Sequence, residues 1–224
     1  MTKRDAIFAH AEACRQAVVE RRPRPLLPPE LKDLHGIDLR GSNLSGCDLR
    51  GSNLSNCYLN SCDLSRCNLS GCNLRDSNLS GSNLVNCDLS YSALRGSNLS
   101  RSDLSCADLR GSNLSGSNLR DSDLRGTILV GCDLHDCDLR GSDLRDSDLS
   151  DSGCRVWISD KYTAYTVPGE NGRILHFGCE RHTLDVWEEK VKELCERYEP
   201  VHAARYEAEI QALVALCRVI PEGR

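Results

Sequence analysis

Four cysteines stand five residues apart in the stretch CYLNSCDLSRCNLSGC, at Cys57, Cys62, Cys67 and Cys72. Thiolates grouped in this way are ligands for zinc, and neighbouring cysteines also form redox pairs. A free cysteine can equally pack as a small apolar residue inside a protein. Which of these roles applies depends on the repeat in which the four residues lie.

A second candidate for chemistry lies near the C-terminus, where Cys179, His182 and Cys195 are close in sequence. A thiol and an imidazole three residues apart could bind a metal ion, or act as a nucleophile and its base. Neither a complete ligand set nor a third orienting residue is evident. The favoured interpretation is a buried cysteine and a histidine near a helix start, so we expect no metal, no cofactor and no catalytic residue. A minor hydrolase or metal-dependent activity in this segment is the alternative.

The composition does not suit an ordinary globular core. The 224 residues include 14 Cys and 17 Gly, while aromatic residues make up 4% and Met occurs once. A net charge of −5 does not favour general nucleic-acid binding. The N-terminal segment lacks the apolar run of an export signal or a membrane span, which predicts a cytoplasmic protein with reduced thiols.

Leucine recurs at every fifth position from Leu34 to Leu149, which makes 24 leucines in register. The residue two positions before leucine is Ser, Cys, Ala or Thr in nearly every unit. The residue immediately before it is Asp or Asn in 20 of 23 units, and the exceptions are Tyr58, Ala93 and Ile128. The second residue after leucine is often Gly, Asp or Asn, which are turn formers.

A period of five excludes both a helix and a single long strand. In a helix, five residues turn through about 500°, so successive leucines would spiral around all sides. In a strand, an odd period would send successive leucines to opposite faces. A short extended unit followed by a bend satisfies the pattern. Equal bends coil the chain into a solenoid whose coils pair about 4.8 Å apart, with leucine and the small residue inside.

The repeated unit (S/C)(D/N)L-x-x resembles the consensus of the pentapeptide-repeat family, and the resemblance covers about half of the chain. It implies a mainly β fold, namely a right-handed, four-sided β-helix with about 20 residues per coil and about six coils. Three consecutive units that carry the resemblance are Ser42-Asn43-Leu44, Cys47-Asp48-Leu49 and Ser52-Asn53-Leu54.

The repeat favours packing as the role of the clustered cysteines. A four-sided coil would place the four cysteines of the opening stretch on four different sides, too far apart for one tetrahedral zinc with bonds of about 2.3 Å. Cys47, Cys67 and Cys87 would stack at about 4.8 Å, where oxidation could join them. The cysteines at the inward position are Cys47, Cys57, Cys62, Cys67, Cys72, Cys87, Cys132 and Cys137.

The residues before the repeat are expected to form a cap, because a solenoid exposes apolar core at both ends. Residues 4–21 are typical of a helix, with Ile7, Ala11, Cys14 and Val18 on one face. This helix could cover the first coil or pack on a side of the rod. The prolines that follow it mark an extended linker.

The segment after the repeat is predicted to be a small α+β cap. Residues 162–167 and 173–178 flank the sequence Pro-Gly-Glu-Asn-Gly and are typical of a hairpin. Helices are predicted over about residues 184–198 and 200–219. The predicted domains are an N-terminal helix and linker over 1–30, the β-helix over 31–153 and the C-terminal module over 154–224.

Aspartate is unevenly distributed along the repeat. Between Leu34 and Arg120 seven Asp stand against eight Arg, whereas between Asp121 and Asp151 nine Asp stand against three Arg. The default role of an outward Asp or Asn is to bond a turn amide. The alternative is a ladder of negative charge offered to a basic partner. The candidate partner-binding residues are Asp88, Asp103, Asp108, Asp123, Asp133, Asp138, Asp143 and Asp148.

The resemblance also bears on function. Quinolone-resistance proteins of this family resemble duplex DNA and bind DNA gyrase or topoisomerase IV. This chain has a shorter rod, one strongly acidic end and a larger C-terminal module, part of which resembles tails of bacterial and phage proteins. The leading hypothesis is a non-enzymatic scaffold whose flat faces and C-terminal module bind another macromolecule, as a monomer or homodimer. A DNA mimic that acts on a type II topoisomerase is the second hypothesis; direct binding to nucleic acid or membrane is not expected.

Overall fold

The computed structural model describes residues 2–152, the backbone of four strands between residues 155 and 183, and Gln211. Residues 33–152 form the coiled repeat, which a single helix precedes. In the part of the chain described here, no helix is both long enough and apolar enough to cross a membrane.

Hydrogen bonds between coils define the repeat region. Parallel bridges join each residue that precedes a leucine to the residue 20 positions further on, in a series that starts at Asp33 and ends at Asp148. The N–H of Leu34 donates to the carbonyl of Asn53 at 2.8 Å, and the N–H of Asn53 donates to the carbonyl of Lys32 at 2.7 Å. Because each bridge lies between two turns, the chain forms isolated bridges here rather than longer strands. The expected period of 20 residues is present.

Each side of the coil ends in a tight turn. The N–H of Ser42 donates to the carbonyl of Leu39 at 3.1 Å, which closes a four-residue turn around Gly41. The second residue after every leucine from Leu34 to Leu149 has a positive φ, as at Gly41 with 66°. Glycine fills half of these corners, and Asn, Asp, Ser, Arg, Tyr or Cys fills the rest. The left-handed conformation explains why turn formers follow leucine in the sequence.

Gly111 and Gly131 occupy the same corner in consecutive coils, and only Gly111 lies under a side chain. Comparing alanine substitutions at the two positions therefore distinguishes the cost of a positive φ from the cost of a steric clash. Tyr91 is 75% exposed, and its ring lies over Gly111 one coil further on. A Cβ on Gly111 would lie 2.8 Å from two ring carbons, whereas a Cβ on Gly131 would have no atom within 4 Å. We predict that Gly131→Ala lowers the free energy of unfolding by about 1 kcal/mol through its positive φ. Gly111→Ala should cost about 1 kcal/mol more, because the ring must move. Equal losses in urea denaturation would contradict this contact.

The interior of the coil is built from the leucines and the small residues two positions before them. Leucines from Leu34 to Leu144 are buried in one continuous core, and Leu149 is partly buried against it. All eight inward cysteines are buried in that core, as predicted. Most inward serines donate their hydroxyl to the backbone, as Ser92 does to the carbonyl of Leu89 at 2.6 Å, whereas the buried hydroxyl of Ser52 has no hydrogen-bond partner among the described residues. Packing is therefore the structural role of the inward cysteines.

The N-terminal helix α1 spans Lys3–Val19. It begins with a capping box, in which the hydroxyl of Thr2 accepts the N–H of Asp5 and the Asp5 carboxylate accepts the N–H of Thr2. Ile7, Ala11 and Cys14 are buried in the core, as predicted. The prediction for Val18 was wrong, because its side chain is 48% exposed and Ala17 is buried instead. A step of three residues from Cys14 keeps Ala17 on the buried face, whereas a step of four turns Val18 toward solvent.

The helix α1 covers the end of the first coil, not a side of the rod. The first coil has backbone carbonyls that no preceding coil can bond, and three side chains of α1 fill this role. Lys3 donates to Asp33 O at 2.7 Å, Arg15 donates to Asn43 O at 3.0 Å, and Nε2 of His10 lies 3.1 Å from Asp48 O. The polar side chains of the helix thus bond the open backbone carbonyls of the first coil, while its apolar face covers the core.

The linker between α1 and the repeat is only partly extended. The linker ends in a short 3-10 turn, Pro29–Leu31. Leu27, which precedes this turn, is buried in the core. Lys32, which follows the turn, donates to the carbonyl of Arg50 at 3.1 Å. The linker therefore takes part in covering the first coil, which its proline content alone did not predict.

The C-terminal segment contains four strands: β1 (Arg155–Ile158), β2 (Thr163–Gly169), β3 (Gly172–Phe177) and β4 (Glu180–Thr183). They form an antiparallel sheet with strand order β1-β2-β3-β4. The predicted hairpin is confirmed by β2 and β3, whose pairing runs from Ala164↔Phe177 to Gly169↔Gly172. The two helices predicted after residue 183 lie outside the described residues, except for Gln211. The boundaries of the three predicted domains stay predictions.

Candidate interaction surface

Outward Asp and Asn residues hold the turns, as predicted. Oδ1 of Asn43 accepts the N–H of Ser45 at 3.0 Å, and the same bond recurs wherever Asp or Asn precedes a leucine of the repeat. Each such bond satisfies a turn amide that the coil-to-coil ladder does not use. The side chains of Tyr58, Ala93 and Ile128 cannot accept this bond, so the corresponding turn amide has no side-chain acceptor of this kind at these three places.

Arginine two residues after an aspartate pairs with that aspartate. The guanidinium of Arg110 donates to the carboxylate of Asp108 at 2.5 Å, and its backbone N–H bonds the same carboxylate at 3.1 Å. In the equivalent pair with Arg40, these hydrogen bonds lower the pKa of Asp38 to about 2. The triplet Asp-Leu-Arg is therefore locally neutral. The six pairs are Asp38–Arg40, Asp48–Arg50, Asp108–Arg110, Asp123–Arg125, Asp138–Arg140 and Asp143–Arg145.

The predicted acidic residues lie in columns, as expected, but arginine neutralises the charge of half of them. Asp103, Asp123 and Asp143 lie in one ladder, as predicted, and Asp88 and Asp108 lie in the next. Arg125 bonds its own aspartate at 2.5 Å and lies 3.8 Å from the carboxylate of Asp143. Four of the eight predicted residues are thus paired with arginine: Asp108, Asp123, Asp138 and Asp143.

The other four predicted carboxylates serve turns without an arginine partner. Asp133 bonds the imidazole of His135 at 2.7 Å. Asp88, Asp103 and Asp148 accept the N–H of the serine two residues on, at 3.0 Å in each case. The ladder is therefore less anionic than the count of aspartates suggests.

A second group of carboxylates, which was not predicted from the sequence, lies at the corners of the coil. Asp121, Asp136, Asp146 and Asp151 occupy the positive-φ position where glycine is commonest. They fall on the four different corners, and Asp121, Asp146 and Asp151 are exposed. The signal was present in the sequence, because each stands two residues after a leucine. Together with Asp133 and Asp148, the corner aspartates account for the excess negative charge of residues 121–151.

The inward thiols are buried. The thiol of Cys57 donates to the carbonyl of Leu34 at 3.1 Å, and the other inward cysteines beyond the first coil make the same bond. Burial raises the pKa of Cys57 and Cys72 to about 11 and that of Cys137 to about 12. All ten cysteines of the described segments are free thiols, and no metal-binding group of three or more side chains occurs there.

We predict that Cys106, which is exposed, reacts much faster with iodoacetamide than the nine buried cysteines of the described segments. The reactive thiolate is scarce where the pKa is raised, and burial blocks access, so rates should differ by about 100-fold or more. Peptide mass spectrometry of the native protein at neutral pH measures each site, and Cys106→Ser controls for the fast phase. Labelling of Cys57 or Cys72 as fast as Cys106 would contradict the packing role. All 14 thiols should react in guanidinium chloride.

A buried histidine and cysteine meet under α1, where the sequence predicted only packing. Nε2 of His10 lies 3.5 Å from Sγ of Cys14. Burial lowers the pKa of His10 and raises the pKa of Cys14, so both groups are neutral near pH 7. A neutral pair lacks the thiolate that a nucleophile needs. The imidazole therefore serves the cap, through its contact with Asp48 O.

The C-terminal candidate for chemistry is only partly covered by the structure. His182 lies in β4, where its backbone pairs with Leu175. Cys179 and Cys195 lie outside the described residues. An activity centred on these side chains stays a prediction.

A 20-residue coil with four turns, an apolar interior and outward-facing polar side chains defines a β-helical repeat protein. The chain belongs to the pentapeptide-repeat family. The family model described as pentapeptide repeats (8 copies) matches residues 33–71 and 117–152. A second family model, described as a pentapeptide repeat region, matches residues 57–134. A search of curated proteins finds no match.

Solved structures similar to this chain include several repeat proteins. A pentapeptide repeat protein from the thylakoid lumen of Arabidopsis thaliana is 27% identical over 47% of this chain and 70% of its own, with a TM-score of 0.35. Rfr23 from the cyanobacterium Cyanothece 51142 is 24% identical over 61% of this chain and 97% of its own, with a TM-score of 0.30. QnrB1, a plasmid-mediated fluoroquinolone resistance protein, is 18% identical over 53% and 79%, with a TM-score of 0.27.

Proposed function

We propose that this protein is a non-enzymatic scaffold that offers its acidic coils, residues 121–151, to a basic surface of another protein. The observation that carries the proposal is the arrangement of charge in these coils. Nine Asp stand against three Arg, and each of the three Arg is held by an Asp of its own triplet. Six negative charges are left over, and four aspartates occupy corners of the coil.

The scaffold holds these charges in place before a partner arrives. Asp121 is held by a ladder bond between coils, because its N–H donates to Arg140 O at 2.9 Å. Turn bonds close the corners at the other three aspartates, as where the N–H of Ser147 donates to Leu144 O at 3.2 Å. Partner binding then costs little ordering of the backbone, so more of the interaction energy appears as affinity. The C-terminal module, residues 154–224, would supply a second surface, and the protein would act as a monomer or homodimer. Free thiols fit a reducing compartment such as the cytosol.

The proposal is tested by removing corner carboxylates. In the triple variant Asp121→Asn, Asp146→Asn and Asp151→Asn, the left-handed corners are kept because Asn tolerates positive φ. A matched triple variant, Glu30→Gln, Asp33→Asn and Asp63→Asn, loses the same charge elsewhere. Quantitative affinity capture from the native cytosol should give a stoichiometric protein partner that the corner variant and raised salt both release. Absence of any partner, or equal loss with the matched variant, would refute the proposal.

A second candidate is a DNA mimic that binds DNA gyrase or topoisomerase IV. The observation in its favour is local charge density. Residues 121–151 span about one and a half coils, or about 7 Å, and carry six excess negative charges. Duplex DNA carries one charge per about 1.7 Å, or about four over the same length. The match is confined to this segment, because residues 34–120 are nearly neutral.

A supercoiling assay separates the two candidates. A mimic should inhibit purified gyrase or topoisomerase IV, or relieve drug poisoning, and the corner variant should do so less than the matched variant. No binding and no effect on either enzyme would rule it out. The third possibility, an activity around Cys179 and His182, is tested by metal analysis of the purified protein and by Cys179→Ala. A protein without metal and a variant with unchanged behaviour would eliminate it.

A further inference from the structure

Two arginines share a depression at one corner of the coils. Arg75 and Arg95 occupy equivalent positions in consecutive coils. The depression is open, with a volume of about 390 Å³. Two of its lining residues are glycines, so no side chain fills it from Gly96 or Gly116. The lining residues are Arg75, Asp76, Arg95, Gly96, Ser115 and Gly116.

The sequence explains why these guanidinium groups lack the aspartate partner of the other triplets. They follow Asn73 and Ala93, whereas each arginine of an Asp-Leu-Arg triplet is held by its own aspartate. Among the residues that the structure describes, neither Arg75 nor Arg95 takes part in an ion pair. Asp76 lies on the same rim with its carboxylate beside Gly96, and it offsets one of the two positive charges.

A third donor lies in the same lining. The turn amide of Arg75 donates to Oδ1 of Asn73 at 3.3 Å, and that of Ser115 donates to Oδ1 of Asn113 at 3.0 Å. The amide of Arg95 has no such acceptor, because Ala93 interrupts the ladder of amide side chains. The N–H of Arg95, which is one of the lining residues, is therefore left without a side-chain acceptor of this kind.

We propose that this depression binds a phosphoryl group. One phosphate oxygen accepts the N–H of Arg95 in the place that an Asp or Asn oxygen occupies in the other repeats. The guanidinium groups of Arg75 and Arg95 bind the remaining oxygens. A carboxylate has two oxygens in one plane, which a single guanidinium already satisfies, whereas a phosphate offers oxygens in three directions. The site is independent of the acidic coils.

The experiment is a titration of the ¹⁵N-labelled full chain with inorganic phosphate at constant ionic strength, followed through backbone amide signals. The signal of Arg95 should shift saturably, while that of Arg120, which follows Asn-Leu as Arg75 does but lies outside the depression, should not. Parallel titrations with O-phosphoserine and acetate identify the source. Tighter binding of phosphoserine indicates a phosphorylated side chain, and tighter binding of inorganic phosphate indicates the free anion. Binding of acetate as tight as both would overturn the proposal.

Three variants complete the test. Ala93→Asp restores the Asp-Leu-Arg triplet, so the new carboxylate should bond Arg95 and weaken phosphate binding about tenfold or more. Asn118→Asp adds the same charge beside Arg120 and should leave binding unchanged. Asp76→Asn removes the carboxylate from the rim and should tighten binding about threefold or more. Retained binding in Ala93→Asp, equal loss in Asn118→Asp, or weaker binding in Asp76→Asn would overturn the proposal. Because Ala93→Asp and Asn118→Asp follow the repeat consensus, both variants are expected to fold.

Discussion

Replacing Leu94 by alanine is expected to lower the free energy of unfolding by about 3 kcal/mol. Leu94 is 0% exposed and lies in the middle of the rod, between Leu74 and Leu114 of the adjacent coils. The cavity cannot close easily, because the backbone on both sides is held by bonds such as Leu94 N–H to Asn113 O at 2.7 Å. Urea denaturation followed by far-ultraviolet circular dichroism measures the loss.

The matched control for this prediction is Leu26→Ala in the linker. Leu26 is 65% exposed, so the same truncation should change stability by no more than about 0.5 kcal/mol. Leu27→Ala should lower the free energy of unfolding by an amount between those two, because Leu27 is buried at the end of the core. A loss at Leu26 as large as that at Leu94 would contradict the assignment of the core.

A charge in the cap should be the most disruptive single change. Ile7→Asp is expected to cost about 4 kcal/mol, because it places an unpaired carboxylate against buried leucines and also removes a large apolar side chain. Ile7 is fully buried in the core that α1 shares with the first coil. Detachment of α1 would also leave the carbonyls of Asp33, Asn43 and Asp48 without these side-chain donors. Urea denaturation and binding of a hydrophobic dye report the two effects.

Val19→Asp is the control on the same helix. Val19 is 77% exposed, and an added carboxylate there should change stability only slightly, with a small cost from its place at the helix C-terminus. If both aspartate variants were equally stable, α1 could not be the cap of the coil. If Ile7→Asp unfolds completely, Ile7→Ala keeps the test informative, with an expected loss of about 3 kcal/mol.

The Asp-Leu-Arg triplet gives a simple rule for the surface of this protein. An arginine that follows Asp-Leu is bound locally and contributes no free charge, as Arg110 shows with Asp108. An arginine that follows Asn-Leu or Ala-Leu, as Arg75 and Arg95 do, is left available to a ligand. The total number of Asp and Arg therefore does not tell which charges are paired. The residue two positions before each arginine does.

Much of the fold follows from the sequence alone. The strict period of five requires a turn in every unit, and the family resemblance implies four units per coil. Adding 20 to a residue number then gives its neighbour in the next coil, as the bridge between Asp103 and Asp123 confirms. The inward position of the cysteines and the turn-holding role of Asp and Asn follow from the same arithmetic.

The tertiary structure decided what each outward side chain does. Whether a carboxylate is free or paired depends on the direction that the turn gives to the residue two positions on, which the period does not specify. The role of α1 depends on where its side chains meet the open carbonyls of the first coil, so the sequence left both placements of the helix open. The site proposed at Arg75 and Arg95 depends on Ala93, because its methyl group cannot accept the N–H of Arg95 as an Asp or Asn oxygen does in the other coils. Sequence spacing thus determined the coil, while contacts between coils determined the surface.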